Sequence, residues 1–225
     1  MQQPTDAPQK MPALIVQKNK LFDDYDDYLY AQIVEGKSLE SWSVTIAKAH
    51  EFYADYFLKD LDKNIIIGDF ACGDGTSLKI FKKMGIKNAI GIELEKEKAS
   101  LASQVGYPVL NIDLQKLSNQ FGEKYFDVIF SAHTLEHLYD PIFCLKKFHQ
   151  FLKDDGYFFL VLPYGADTFA QELHKVHCAC HILGLTQDDS GHTLINILEK
   201  NGFKVLEVKF DNFRESEIWL KLIKN

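Results

Sequence analysis

From residue 64 onward, short apolar runs alternate with segments whose apolar residues recur at helical spacing. NIIIGDF (64–70) reads as a buried strand and TSLKIFKKM (76–84) as a helix. NAIGIEL (88–94), PVLNIDL (108–114), YFDVIFSA (125–132) and GYFFLVLPY (156–164) repeat the strand signal. The intervening helices are EKEKASLASQVG (95–106) and YDPIFCLKKFHQFLK (139–153), the latter with Pro141 in its first turn, where the missing N–H costs nothing. TLINILEKNGF (193–203) is a helix that Gly202 ends, and FKVLEVKF (203–210) and SEIWLKLIK (216–224) are two closing strands. Strands alternating with helices predict a parallel sheet covered on both faces. The fold class expected is α/β, a Rossmann-like doubly wound sheet of seven strands, mostly parallel, with the last strand antiparallel.

Before residue 64 the pattern differs. Residues 1–40 read as an N-terminal arm, with Phe22, Tyr25, Tyr28 and Tyr30 set among acids, and Trp42 follows just after it. This arm is a candidate lid. SWSVTIAKAHEFYADYF (41–57) reads as a helix that Ser41 or Ser43 would cap. The single remaining domain spans 41–225, and its irregular stretch 165–188 is a candidate insert covering an acceptor.

In open sheets of this kind ligands bind beyond the carboxyl ends of the strands. After strand one comes Ala71-Cys72-Gly73-Asp74-Gly75, small residues that let the backbone pass close to a ligand. The following helix start offers unpaired N–H groups. After strand two comes Glu93, suited to the two hydroxyls of a ribose, and after strand three Asp113, suited to an adenine amine. A dinucleotide fingerprint requires a third glycine where Leu78 stands.

These residues resemble the class I S-adenosylmethionine-dependent methyltransferases, in their small-molecule branch. Asp69-Phe70-Ala71-Cys72-Gly73-Asp74-Gly75 matches the first motif with Ala71 in the first glycine position, and Phe126 through His133 matches the fourth-strand motif. Leu135-Glu136-His137-Leu138 is similar to a run common in that branch. The resemblance implies that S-adenosyl-L-methionine is the cofactor, held by Asp69, Ala71, Gly73, Glu93, Leu94, Asp113, Leu114 and Ser131. It implies methyl transfer to an oxygen or nitrogen of a small molecule by in-line displacement. Ala71 is expected to keep a negative φ.

A proton-accepting group is needed if the acceptor carries a proton, and histidines at the sheet end are the candidates. His133 directly follows strand four. His137 lies one turn later, with Glu136 either orienting a histidine or capping the next helix. His192 precedes the last helix, and Tyr164 follows strand five as a candidate pocket wall. His174, His177 and His181, beside Cys178 and Cys180, would share one helical face, but Cys-x-Cys is not a usual zinc spacing, and no metal is expected.

Composition narrows the classes. The 225 residues, 46% hydrophobic, suffice for one sizeable core. A net charge of −7 and a single arginine, Arg214, disfavour a phosphate-backbone partner, so no nucleic acid is expected. The four cysteines form no disulfide framework and there is no leader or membrane-length apolar run, which points to the cytoplasm and to no membrane partner. The oligomeric state stays open between monomer and homodimer. Two alternatives stand beside methyl transfer: an NAD-dependent oxidoreductase, and a non-catalytic S-adenosylmethionine-binding partner subunit.

Overall fold

The computed structural model describes residues 25–35, 43–118, 120–166, 179–212 and 216–225. Strands β1 (Ile66–Phe70), β2 (Asn88–Glu93), β3 (Val109–Asn111), β4 (Phe126–Ala132), β5 (Leu152–Pro163), β6 (Phe203–Asp211) and β7 (Glu217–Lys224) form one sheet. Their order is β3-β2-β1-β4-β5-β7-β6, and β7 runs antiparallel to both its neighbours. The expected α/β architecture is therefore present, with its antiparallel strand in the expected place. The chain first winds outward from β1 to β3 and then returns to β4 beside β1. That reversal opens a crevice beyond the ends of β1 and β4.

Helices α1 (Tyr25–Glu35), α2 (Ser43–Leu58), α3 (Thr76–Lys83), α4 (Lys96–Ser103), α5 (Pro141–Phe151) and α6 (His192–Lys200) accompany the sheet. Side chains alternate across a strand, so each strand feeds two cores. Phe158, Leu160 and Leu162 of β5 pack in one layer with Leu145 and Phe148 of α5 and Leu194 and Leu198 of α6. Phe159 and Val161 point the other way, toward Tyr53, Phe57 and Leu58 of α2 and Phe81 of α3. The Phe57 and Phe159 rings stack with centroids 4.7 Å apart, a pairing that adds about 0.5–1.5 kcal/mol beyond area burial.

Element ends differ from the expected ones where a single side chain decides them. The helix expected through Lys153 stops at Phe151, because Leu152 already pairs with Phe126 of β4. The third strand shrinks to three residues because the Asp113 side chain accepts from Gln115 N–H and starts a 3-10 turn. The α5 N-cap is Asp140, whose carboxylate accepts from Phe143 N–H at 2.8 Å; Glu136 does not cap it. Asp127 braces the sheet, accepting from Ile66 N–H at 2.7 Å and from Lys153 Nζ at 2.6 Å.

Candidate cofactor and acceptor site

The loop after β1 is strapped to β2. The N–H groups of Ala71 and Cys72 both donate to the Ile92 carbonyl, at 3.0 and 2.9 Å. Held this way, Ala71 adopts φ 73°, so the expected negative φ is wrong. A left-handed alanine is strained by about 1 kcal/mol or more, and such strain persists where the surroundings over-determine it. Gly73 and Gly75 also have positive φ, but for different purposes. A Cβ on Gly75 would lie 2.8 Å from the Ala102 backbone, so that glycine lets α4 approach. A Cβ on Gly73 would meet nothing within 4 Å. Gly73 thus borders open space at the crevice.

Three acids lie at the carboxyl ends of β1, β2 and β3, and two of them, Asp69 and Glu93, neighbour each other beside this loop. Glu93 accepts from Gly73 N–H at 2.9 Å and from Glu95 N–H at 2.8 Å. Burial raises its pKa. Asp69 is buried, and its Oδ2 has no hydrogen-bond partner among the described residues. Burial, and then the neighbouring Glu93 charge, push its carboxyl up to about 8. An orphaned buried acid beside another acid lacks a positive charge or a donor, and a cationic ligand would supply it. Asp113 gives one oxygen to Gln115 N–H at 2.8 Å and the other to the Tyr25 hydroxyl. Ser131 Oγ, at the end of β4, is likewise buried without a partner among the described residues, while Leu114 is buried and Leu94 half-buried. The donor set and the open space fit the adenosyl and cationic parts of S-adenosylmethionine.

His133 stands at the end of β4, adjacent to the β1 loop, with φ 52°. Two non-glycine residues, Ala71 and His133, thus turn left-handed after neighbouring strands. The His133 backbone N–H donates to Val161 O at 2.9 Å, and Thr134 Oγ1 donates to Phe70 O at 3.2 Å, tying the ends of β4, β5 and β1 together. Its Nε2 is 2.9 Å from Glu217 Oε1 and its Nδ1 3.6 Å from Glu136 Oε1. Both glutamate side chains are fully buried, and the imidazole is 13% exposed. Glu217 also accepts from the Tyr53 hydroxyl and from Trp219 Nε1 at 3.2 Å. On α2, His50 continues the row, with Nδ1 2.5 Å from Ser77 Oγ. Glu217, Tyr53 and His50 escaped the sequence reading. Glu217 left one trace, an acid opening the otherwise apolar run IWLKLI.

The other expected residues are placed as follows. His137 sits in a 3-10 turn with its Nε2 3.7 Å from Glu136 Oε1, and its carbonyl accepts from Gln32 of α1. His192 is exposed at the start of α6, its ring hydrogen-bonded to the Asp189 carbonyl, and no described contact joins it to His133. Tyr164 is buried at the end of β5. Its hydroxyl donates to Asp189 Oδ1 and accepts from Gly191 N–H, both at 2.8 Å, fixing the entry to α6. Phe22, Trp42, His174, His177 and Cys178 lie outside the described residues. His181 faces Thr186 Oγ1 at 2.9 Å, and Cys180 is buried. Among the described residues no helix is long and apolar enough to cross a membrane.

Comparisons with known proteins bear on this arrangement. A family model described as a methyltransferase domain matches residues 45–208. No curated protein matches the sequence. Among solved structures, one S-adenosylmethionine-dependent methyltransferase from Thermotoga maritima, described as a possible histamine N-methyltransferase, is 18% identical, with 88% of this chain and 99% of that chain covered and a TM-score of 0.63. An S-adenosylmethionine-dependent methyltransferase from Mesorhizobium loti is 17% identical over 76% of this chain and 98% of that one, with a TM-score of 0.59. The cyclase SpnF shares the fold at 13% identity, covering 79% and 81%, with a TM-score of 0.61. The family match spans well over half the chain and coincides with the loop, the acids and the strand order described above: the protein belongs to the class I S-adenosylmethionine-dependent methyltransferases.

Proposed function

We propose that the protein transfers a methyl group to an oxygen or nitrogen of a small-molecule acceptor seated between His133 and the β1 loop. The observation that carries this reading is the placement of His133: a left-handed, partly exposed residue ending β4, followed by Thr134, whose hydroxyl is bonded to Phe70 O at the end of β1. Strain at a buried switch point is a mark of function rather than of packing.

S-adenosylmethionine, when bound, supplies a methyl group already activated on a cationic sulfur. The chain's own residues bind, orient and remove a proton. In this reading Glu93 takes the ribose hydroxyls, Asp113 the adenine amine, and Asp69 balances the positive charge. Gly73 lets the ligand pass close to the backbone, Ala71 shapes the turn, and Leu94, Leu114 and Ser131 border the adenosyl group. Positioning of this kind contributes up to roughly 7–11 kcal/mol, and a base contributes about 10²–10⁴-fold where the acceptor must lose a proton. His133 holds that role, with His137 beside it and His192 as a more distant candidate. Helix α1 serves as part of a cover: Tyr25 reaches Asp113, and Tyr25, Tyr28 and Tyr139 cluster with ring centroids 5.6 Å apart.

The test is a screen of metabolite pools with methyl-labelled S-adenosylmethionine, using the parent and His133→Ala. Labelled product from the parent, and turnover in the variant reduced far more than cofactor affinity, support the reading. Cofactor binding with no labelled product in any pool, together with capture of a protein partner, favours a non-catalytic subunit instead.

A further inference from the structure

We propose that Glu217 is the positioning residue of the methyl-transfer site: it fixes His133 in the Nε2–H form and so assigns proton acceptance to Nδ1. The inference rests on the reading of His133 as the base. It starts from a donor count. A carboxylate carries no proton, so the 2.9 Å contact between His133 Nε2 and Glu217 Oε1 is a hydrogen bond only if Nε2 donates. In the neutral ring the lone pair then sits on Nδ1. Tyr53 and Trp219 donate to the same carboxylate, so Glu217 holds three donors in a fully buried position. Three donors converging on one carboxyl group leave its oxygens as the acceptors and hold it in place. The Tyr53 ring also neighbours the imidazole, with centroids 6.3 Å apart and the planes tilted by 32°.

Among the described contacts, groups face His133 from three directions. Glu217 approaches from β7, Tyr53 from α2, and Glu136 from the turn after β4. At 3.6 Å, Glu136 Oε1 is too far from Nδ1 for a hydrogen bond and close enough to favour a charge there. His137 faces the same glutamate at 3.7 Å. When an acceptor gives up its proton, the Nδ1 lone pair takes it, and the imidazolium that forms lies between two carboxylates. Glu217 thus orients the base and stabilises its charged form without touching the acceptor.

Imidazole nitrogen NMR tests this without any acceptor. The protein is measured with and without S-adenosylhomocysteine, and His133→Ala identifies the signal. The neutral His133 ring should carry its proton on Nε2. In Glu217→Gln the His133 titration should fall by about one pH unit or more, with S-adenosylhomocysteine affinity within about twofold of the parent, and Glu217→Asp should recover most of the shift. A neutral ring protonated on Nδ1, or a ring doubly protonated through about pH 9, overturns the proposal in the parent protein, whether or not the variants fold. An unchanged titration in a folded Glu217→Gln protein also overturns it. The tautomer result is independent of the functional reading, which fails separately if His133→Ala leaves turnover on an identified acceptor intact.

Discussion

His133 and Glu217 are 84 positions apart in the chain, yet their side chains meet at 2.9 Å beyond the ends of β4 and β7. The contact exists because β5 lies between those strands, and because β7 enters antiparallel, with Glu217 paired to Pro163. Tyr53 completes it from α2. Tyr53→Phe removes one donor from a buried charged acceptor, which costs about 1.5–3 kcal/mol. Thermal denaturation should show a Tm lower by roughly 3–12 °C at this chain length. A Tm unchanged within error would mean that Glu217 does not depend on that hydroxyl.

Gly73 and Gly75 should respond differently to the same substitution. Gly73→Val places its side chain in open space and strains one left-handed residue, by about 1–2 kcal/mol. It should fold and lose S-adenosylmethionine binding, as read by calorimetry. Gly75→Val drives its side chain into α4 at Ala102 and should reduce soluble folded protein. Retained cofactor affinity in Gly73→Val would place the ligand elsewhere.

Ala71→Gly relieves a left-handed alanine. It should raise stability by about 1 kcal/mol, or roughly 2–4 °C in Tm, because the relief exceeds the entropy lost by the added glycine. A decrease would show that the Ala71 methyl contributes packing that outweighs its strain.

Asp69 gives the site a pH dependence whose sign is fixed. Its folded-state pKa, about 8, is above the ordinary carboxyl value of 3.8. The buried acid therefore favours the folded state while protonated in both states. That contribution declines as pH rises from about 4 and is gone above about 8. A cationic ligand favours the ionised form, so S-adenosylmethionine affinity should increase from pH 6 toward pH 8, with proton release, and then level off. Because the cofactor's own amine also titrates, Asp69→Asn is the reference, and the difference between the two profiles carries the prediction. Parallel profiles would remove Asp69 from the charge balance.

Tyr25 donates to the Asp113 oxygen left over from the turn. Burial and the Asp113 carboxylate raise the phenol's pKa, so it remains a donor throughout the working range. An adenine amine at Asp113 competes with it. Tyr25→Phe should tighten S-adenosylmethionine binding by about tenfold or more, the worth of one hydrogen bond to a charged acceptor. Weaker binding would make Tyr25 a partner of the bound ligand and not a competitor.

Local pattern carried much of this. The apolar runs and their spacing gave seven strands and their helices, since burial on both faces requires continuous apolar sequence. The loop at 71–75, Glu93 and Asp113 stood out as candidates because each lies at or just past the end of a strand, where topology puts ligands. Ala71 shows where the reading ended: residue type suggested a negative φ, but two hydrogen bonds to Ile92 O impose the opposite sign. Spacing left Glu136 open between orienting a histidine and capping the next helix, and only the geometry gives the cap to Asp140.

By itself, the sequence determined the alternation of elements, the glycine-bearing turn and the acids at the strand ends, all of which depend on residues near one another in the chain. Only the tertiary structure decided which distant groups share the crevice. It turned β7 back against β5, bringing Glu217 to His133, and laid α1 and α2 so that Tyr25 reaches Asp113 and Tyr53 reaches Glu217. Those contacts follow from strand order and packing direction, which no local spacing encodes.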